Sequence, residues 1–313
     1  MTDVAQVAAF LKEADGIMII THRRPDGDTL GGGFALCRAL EKLGKRCFVA
    51  NSGEISPNLR MFTNGKSTLS VEFEPELIVA VDTAELSLME GLSVYGERAD
   101  ICIDHHKTNK RYAKYTLLDE KAASACEIIY DVINALGVPI EGDIATALYV
   151  GISTDTGCFR FRNTTPKTMR IAAELMEKGV DFEELNRIFF ETVSPERVAL
   201  VREMYNNAEI FDSGKLIISH LDMHGYADED YEGLCGELRR IRGVVAAVLL
   251  REQEGGGYRI SARAHKGFDC SAMCSRFAGG GHEGAAGGSV NGELSACLEK
   301  VKAAMSEELW KNK

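Results

Sequence analysis

Long apolar runs, a basic surplus and CxxC pairs are absent from this chain of 313 residues, and proline is scarce. No apolar stretch approaches the roughly 20 residues that cross a bilayer. The N-terminal MTDVAQVAAFLKEADG has neither a basic leader nor an apolar segment with a cleavage site, so no membrane span or secretory signal is expected. Lys and Arg number 36 against 47 Asp and Glu, a net charge of −11. A protein that grips long nucleic acid through its phosphates needs the opposite balance, which excludes a long-duplex binder but leaves room for a locally basic pocket. Nine cysteines make an odd set with no CxxC pair, several inside apolar runs such as Ile101–Ile103. They read as reduced, mostly buried thiols in a cytoplasmic protein. Six prolines, no repeat and no low-complexity segment leave an ordinary globular composition, 45% hydrophobic and 27% charged, long enough for two domains.

The first half alternates short β-type runs with helical patterns. Ile17–Thr21, Arg46–Ala50, Leu77–Val81 and Asp100–Ile103 read as buried strands, being short, rich in Ile and Val, and bounded by turn or charged residues. Gly31–Leu43, Ser124–Leu136 and Asp143–Ser153 read as helices, and the alternation predicts an α/β fold, a parallel sheet with helices on both faces. Residues 168–207 read as helical with Pro195 as the main interruption. A second cycle of strands at Lys215–Leu221, Val244–Glu252 and Tyr258–Ala264, the last two joined by the Gly255–Gly257 turn, predicts a smaller mixed-sheet α/β domain, with helices at 269–277 and 293–308. The expected division is a first domain at 1–190, a helical connector at 191–207 and a second domain at 208–313.

Ligands of a parallel sheet bind beyond the carboxyl ends of its strands. There the sequence places His22, Asp26 and Asp28 after the first strand, Asp82 after the third, and Asp104, His105 and His106 after the fourth, with Asp155 in the later helical GISTDTG. One such Asp is most often a turn former or helix cap. Five carboxylates and three imidazoles delivered to one sheet edge are not explained that way. Their mutual repulsion calls for divalent cations, and a bridging Asp between two ions gives the arrangement of two-metal hydrolysis. Mixed oxygen and nitrogen donors favour Mn²⁺, with Mg²⁺, Co²⁺ or Zn²⁺ as alternatives, over Ca²⁺.

Near the C-terminus, FAGGGHEGAAGG (Phe277–Gly288) has almost no side-chain bulk, so the N–H groups around Gly279, Gly280, Gly281 and His282 are expected to approach a phosphate closely. It lacks the GK[ST] of a Walker loop, and a tight helix-to-strand connection is the plainer reading. Arg263, His265 and Lys266, at the end of a predicted strand, add positive charge. Arg160 and Arg162 follow Asp155 closely enough to meet substrate, although CFRF also reads as a strand; His220 and His224 read as structural or surface residues.

In order and context, His22-x₃-Asp26-x-Asp28, Asp82, Asp104-His105-His106 and Asp155 resemble the four motifs of the DHH phosphoesterase superfamily, and GGGH resembles the signature of the DHHA1 domain. Together they span nearly the whole chain. The nearest resemblance is to the bacterial oligoribonuclease and pAp phosphatase group. It implies one ion held by His22, Asp26 and Asp82, and another by Asp28, Asp82, His105 and Asp155. Asp104 would orient a histidine through its ring N–H, and His106 would hold the scissile phosphate or protonate the leaving oxygen. Arg263 and His282 would grip the end of the substrate. The implied partners are short RNA oligonucleotides and nucleotides such as pAp, and the implied enzyme is a cytoplasmic one for which a homodimer stays open. A phosphodiesterase for cyclic or linear dinucleotides (c-di-AMP, pApA) shares all the metal motifs, and a nucleotide-binding regulatory module is the non-enzymatic alternative.

Overall fold

The structure is a computed structural model and describes residues 2–63 and 73–311. It divides into two compact units, residues 1–192 and 193–313. In the first unit α1 (Val4–Glu13) leads into β1 (Gly16–Ile20), α2 (Gly27–Lys42), β2 (Arg46–Ala50), β3 (Leu77–Val81), the single turn α3 (Ser93–Gly96), β4 (Ile101–Asp104) and β5 (Tyr115–Leu118). Four helices complete it: α4 (Ala125–Leu136), α5 (Asp143–Asp155), α6 (Pro166–Glu177) and α7 (Phe182–Asn186). The five strands are all parallel, in the order β2-β1-β3-β4-β5.

Strand residues alternate between two cores, as a period of two requires. Ile17, Ile19, Val79 and Val81 join the core under α1, α2, α4 and α5, while Met18, Ile20, Ile78 and Ala80 join the one closed by Met89 and Leu92. Burial on both faces explains why these strands read as unbroken apolar runs. The chain order reverses between β1 and β3, which places a topological switch point beside the carboxyl ends of β1, β3 and β4.

In the second unit α8 (Pro195–Asn206) precedes β6 (Glu209–Phe211), β7 (Leu216–Leu221), the single turn α9 (Asp228–Tyr231), α10 (Leu234–Arg239), β8 (Ala246–Glu252) and β9 (Tyr258–Ala264). Then come α11 (Cys270–Cys274), β10 (Gly280–His282), β11 (Ala285–Val290) and α12 (Leu294–Trp310). Its six strands run β10-β11-β9-β8-β7-β6, with only β7 and β8 parallel. The segment read as a connector, α8, packs Leu200 and Met204 against Ile217 and Leu221 of β7 and so covers one face of this sheet. Among the described residues no helix is long and apolar enough to cross a membrane.

Candidate metal centre and phosphate-binding face

β1, β3 and β4 are neighbours, so the residues that follow them meet in space. Asp26 is the N-cap of α2, its Oδ1 accepting the N–H groups of Asp28 and Thr29 at 3.0 Å each, which turns Oδ2 toward His22 Nε2 at 3.5 Å. Asp28, one position inside α2, is buried. Its Oδ2 accepts the N–H of Ala125 at 2.7 Å and its Oδ1 that of Cys126 at 2.9 Å, so the carboxylate caps the start of α4 from another element. Asp155 is the last residue of α5.

Asp82 sits at the centre with a left-handed backbone, φ 53°, uncommon for a residue with a side chain. It divides its carboxylate: Oδ2 lies 3.4 Å from His22 Nε2, Oδ1 lies 3.5 Å from His105 Nε2 and 3.4 Å from His106 Nδ1. His105 Nε2 is also 3.8 Å from Asp28 Oδ2 and 3.8 Å from Asp155 Oδ2. Donor atoms of His22, Asp26 and Asp82 lie within 4.8 Å of one another, and so do those of Asp28, His105 and Asp155. Asp82 Oδ1 and His105 Nε2 are both buried without any hydrogen-bond partner. Such orphaned groups are rare in protein interiors. A divalent cation satisfies both, and oxygen with imidazole nitrogen suits a first-row ion.

The electrostatics agree. With only the chain's own groups to balance them, the carboxylates draw protons into the cluster. Burial alone would lower His22, but the Asp26 and Asp82 carboxylates override it and push the imidazole up to about 10. His105 likewise rises to about 10, burial being outweighed by Asp82, Asp28 and Asp155. Burial, reinforced by Asp82 and Asp155, holds the Asp28 carboxyl well above the usual range, and burial lifts Asp155 to about 6. The cluster therefore retains positive charge of some kind at neutral pH, as protons or as metal.

Asp104 and His106 form a separate pair. Burial would raise the Asp104 carboxyl, yet hydrogen bonds from His106 and Asn109 hold it below the usual range. Asp104 Oδ1 accepts from His106 Nδ1 at 2.8 Å and from the His105 N–H at 2.8 Å, while Oδ2 accepts from Asn109 Nδ2 at 2.5 Å. The Asp104 bond raises His106, against burial. His105 presents its Nδ1 to the Ala122 carbonyl at 3.3 Å, which leaves Nε2 for the cluster. Asn109 went unnoticed in the sequence, because an Asn in a turn is ordinary. Asn51 did too: its Nδ2 donates to the His22 carbonyl at 2.7 Å and steadies the loop carrying that histidine.

In the second unit the glycine-rich segment is a hairpin, not a loop. β10 pairs with β11 and β11 with β9, so His282, Ala285, Arg263 and Ala247 form one rank across four strands. Directly paired residues share a face. His282 and Arg263 thus project from the same side, about 9.5 Å apart, with only the Ala285 methyl between them. The glycines are needed for close backbone approach: a Cβ on Gly279 would lie 2.1 Å from the Gly287 carbonyl oxygen, and one on Gly281 2.6 Å from that of Ala285. Gly280, Gly281 and His282 line an exposed edge strand, whose outward N–H groups remain open to an acceptor. His265 and Lys266 are exposed in the turn after β9, and Arg160, five residues after Asp155, is exposed with its Nε on the Gly157 carbonyl.

Residues 16–152 match the DHH family, N-terminal domain, and residues 213–311 match the DHHA1 domain. The chain is 37% identical over 311 residues to the bifunctional oligoribonuclease and PAP phosphatase of Thermus thermophilus, covering 97% of this chain and 93% of that one. An exopolyphosphatase-related protein from Bacteroides fragilis shares the fold with a TM-score of 0.87 at 24% identity, covering 97% of this chain and 95% of that one. The RecJ of Thermus thermophilus, solved in complex with Mn²⁺, shares it with a TM-score of 0.58 at 16% identity, covering 99% of this chain and 55% of that one.

Proposed function

Because the chain belongs to the DHH family and carries a DHHA1 domain, we propose that it is a metal-dependent phosphoesterase that hydrolyses short oligoribonucleotides to 5′-mononucleotides and removes the 3′-phosphate from pAp to leave AMP. The observation that carries this reading is the division of Asp82, one oxygen toward His22 and the other toward His105, with Oδ1 and His105 Nε2 otherwise unsatisfied. Two divalent cations, Mn²⁺ by the donor chemistry, fit that arrangement: His22, Asp26 and Asp82 would hold one, and Asp28, His105 and Asp155 together with Asp82 the other. When bound, they supply a water activated for in-line attack and neutralise charge on the phosphate.

The chain's own groups do the rest. Asp104 holds the proton on His106 Nδ1, so Nε2 faces outward, and the raised affinity of this imidazole for protons suits it to deliver one to the departing ribose oxygen. Asn109 locks Asp104 in place. On the second unit, Arg263 and His282 offer two donors on one sheet face, with the Gly280 and Gly281 edge beside them, for the terminal phosphate of a short strand. His265 and Lys266 add exposed donors on that unit, and Arg160 is an exposed donor of the first unit. A net charge of −11 discourages long polyanions and leaves short ones.

The test is Mn²⁺-dependent turnover of labelled RNA of two to ten nucleotides, pAp, pApA, cyclic di-AMP and pyrophosphate. Cleavage of the short RNAs and pAp is expected. Cleavage of cyclic di-AMP or pyrophosphate alone, or of nothing, overturns the reading.

A further inference from the structure

The segment that follows Asp155 carries an aromatic ring for which the proposed chemistry has so far given no use. Gly157, Cys158 and Phe159 have φ of 56°, 57° and 61°, three left-handed residues in succession, two of them with side chains. Thr156 holds this turn together, its carbonyl accepting the N–H groups of Arg160 and Phe161 at 3.0 Å each. The turn sorts its two phenylalanines. Phe159 packs inward, its ring centroid 6.0 Å from that of Tyr149. Phe161 points out and at 56% is the most exposed aromatic side chain among the described residues.

That exposure is built, not incidental. The Phe161 ring lies on Gly157, where a Cβ would stand 2.3 to 2.6 Å from three ring atoms. One ring face is thereby seated on backbone and the other is left to solvent. The seat adjoins the donor cluster through the chain itself: two residues on, Asn163 Nδ2 bonds the Asp155 carbonyl at 3.1 Å and reaches Asp155 Oδ2 at 3.4 Å. Arg160 spends its Nε on the Gly157 carbonyl at 2.5 Å, and its Nη groups have no partner among the described residues. An exposed aromatic face backed by Gly157, with the Arg160 guanidinium anchored on that same glycine and the donor cluster adjoining, has the chemistry that recognises a nucleobase beside its phosphate.

We propose that Phe161 is the platform on which the nucleobase of the substrate stacks, so that it selects nucleotides over base-free phosphate esters. This rests on the phosphoesterase reading above. The experiment compares wild type, Phe161→Ala and Phe161→Trp on pAp and on ribose 3,5-bisphosphate, which keeps both phosphates and lacks the base. Loss of one stacked base lowers kcat/KM by roughly 5- to 150-fold, and Phe161→Ala is expected to show that loss on pAp, through KM, with ribose 3,5-bisphosphate unchanged. Phe161→Trp is expected to retain pAp. Equal losses on both compounds, or no loss on pAp, overturn the proposal. A wild type that hydrolyses neither compound defeats the phosphoesterase reading instead. Stacking is then read by calorimetric binding of pAp, where equal affinities of wild type and Phe161→Ala overturn it.

Discussion

His106 offers the sharpest perturbation, because its two ring nitrogens have separate duties. Nδ1 donates to Asp104 Oδ1 at 2.8 Å, leaving Nε2 as the atom able to meet substrate. If Nε2–H protonates the leaving oxygen, His106→Ala forfeits a general acid, a loss of roughly 10²- to 10⁴-fold, or about 2.7 to 5.4 kcal/mol of barrier. That penalty depends on the leaving group. A ribose alkoxide needs the proton, whereas p-nitrophenolate departs without one. His106→Ala is therefore expected to lose the full factor on a dinucleotide but under about tenfold on thymidine 5′-p-nitrophenyl phosphate, both at saturating Mn²⁺. Equal losses on the two esters refute the assignment and make His106 a phosphate or cation contact.

Asp104→Asn tests the partner with a readout that a structural role does not move. The Asp104 hydrogen bond raises His106 above its ordinary 6.5, against burial. The reaction needs His106 protonated, so kcat falls as pH rises through the folded value. Removing the carboxylate lowers that value, and the fall is expected to move to lower pH. An unmoved alkaline limb means that His106 does not carry the proton.

Two further perturbations probe the burial of charge. Asp82→Asn keeps volume and a residue type that tolerates φ of 53°; it is expected to reduce turnover beyond the roughly 10- to 100-fold seen when a group behind a ligand is lost. It should also abolish any Mn²⁺-induced rise in Tm while the metal-free melt stays cooperative, and a retained Mn²⁺ shift contradicts the bridging role. Glu127 is wholly buried, and burial raises its pKa above the ordinary 4.5, only partly offset by the Thr168 hydroxyl, the Lys167 ammonium and the Ala123 backbone. A carboxyl raised in the folded state penalises folding at pH above its folded value and ceases to do so as pH falls to the unfolded value. Glu127→Gln is accordingly expected to stabilise the protein by at least about 1 kcal/mol at pH 8, with the gain vanishing near pH 4 in urea titrations. Destabilisation at pH 8 would show that the charge is compensated.

How much of this was legible depended on whether local pattern and tertiary context agreed. β1, β3 and β4 were readable because both their faces are buried, and His22, Asp82 and Asp104 were readable because they interrupt those runs at their carboxyl ends. β5 was not, being an edge strand with only Leu117 fully buried. β10 and β11 were not, because Gly-Gly-His and Ala-Ala-Gly-Gly carry no alternation. Their pairing depends on the absence of Cβ atoms, which permits the close backbone approach at Gly279 and Gly281. α8 read as a connector because Pro195 interrupts the helical run there; in the structure Leu200 and Met204 of that helix pack on β7. Phe161 was visible only as part of CFRF, and no strand forms there: successive left-handed residues turn the chain instead.

The least legible feature is the anchoring of Asp28. Ser124 and Glu127 stand at capping-box spacing at the start of α4, and local logic would pair them across that first turn. Both side chains instead lie buried without closing that box, while the Asp28 carboxylate takes the N–H groups of Ala125 and Cys126. A carboxylate beside Asp82 and Asp155 needs positive charge, and the N-terminus of α4 supplies part of it from fixed dipoles. Those two bonds hold Asp28 in position whether a proton or a cation makes up the remainder. The unused capping box is then the local cost of a donor oriented before any metal arrives.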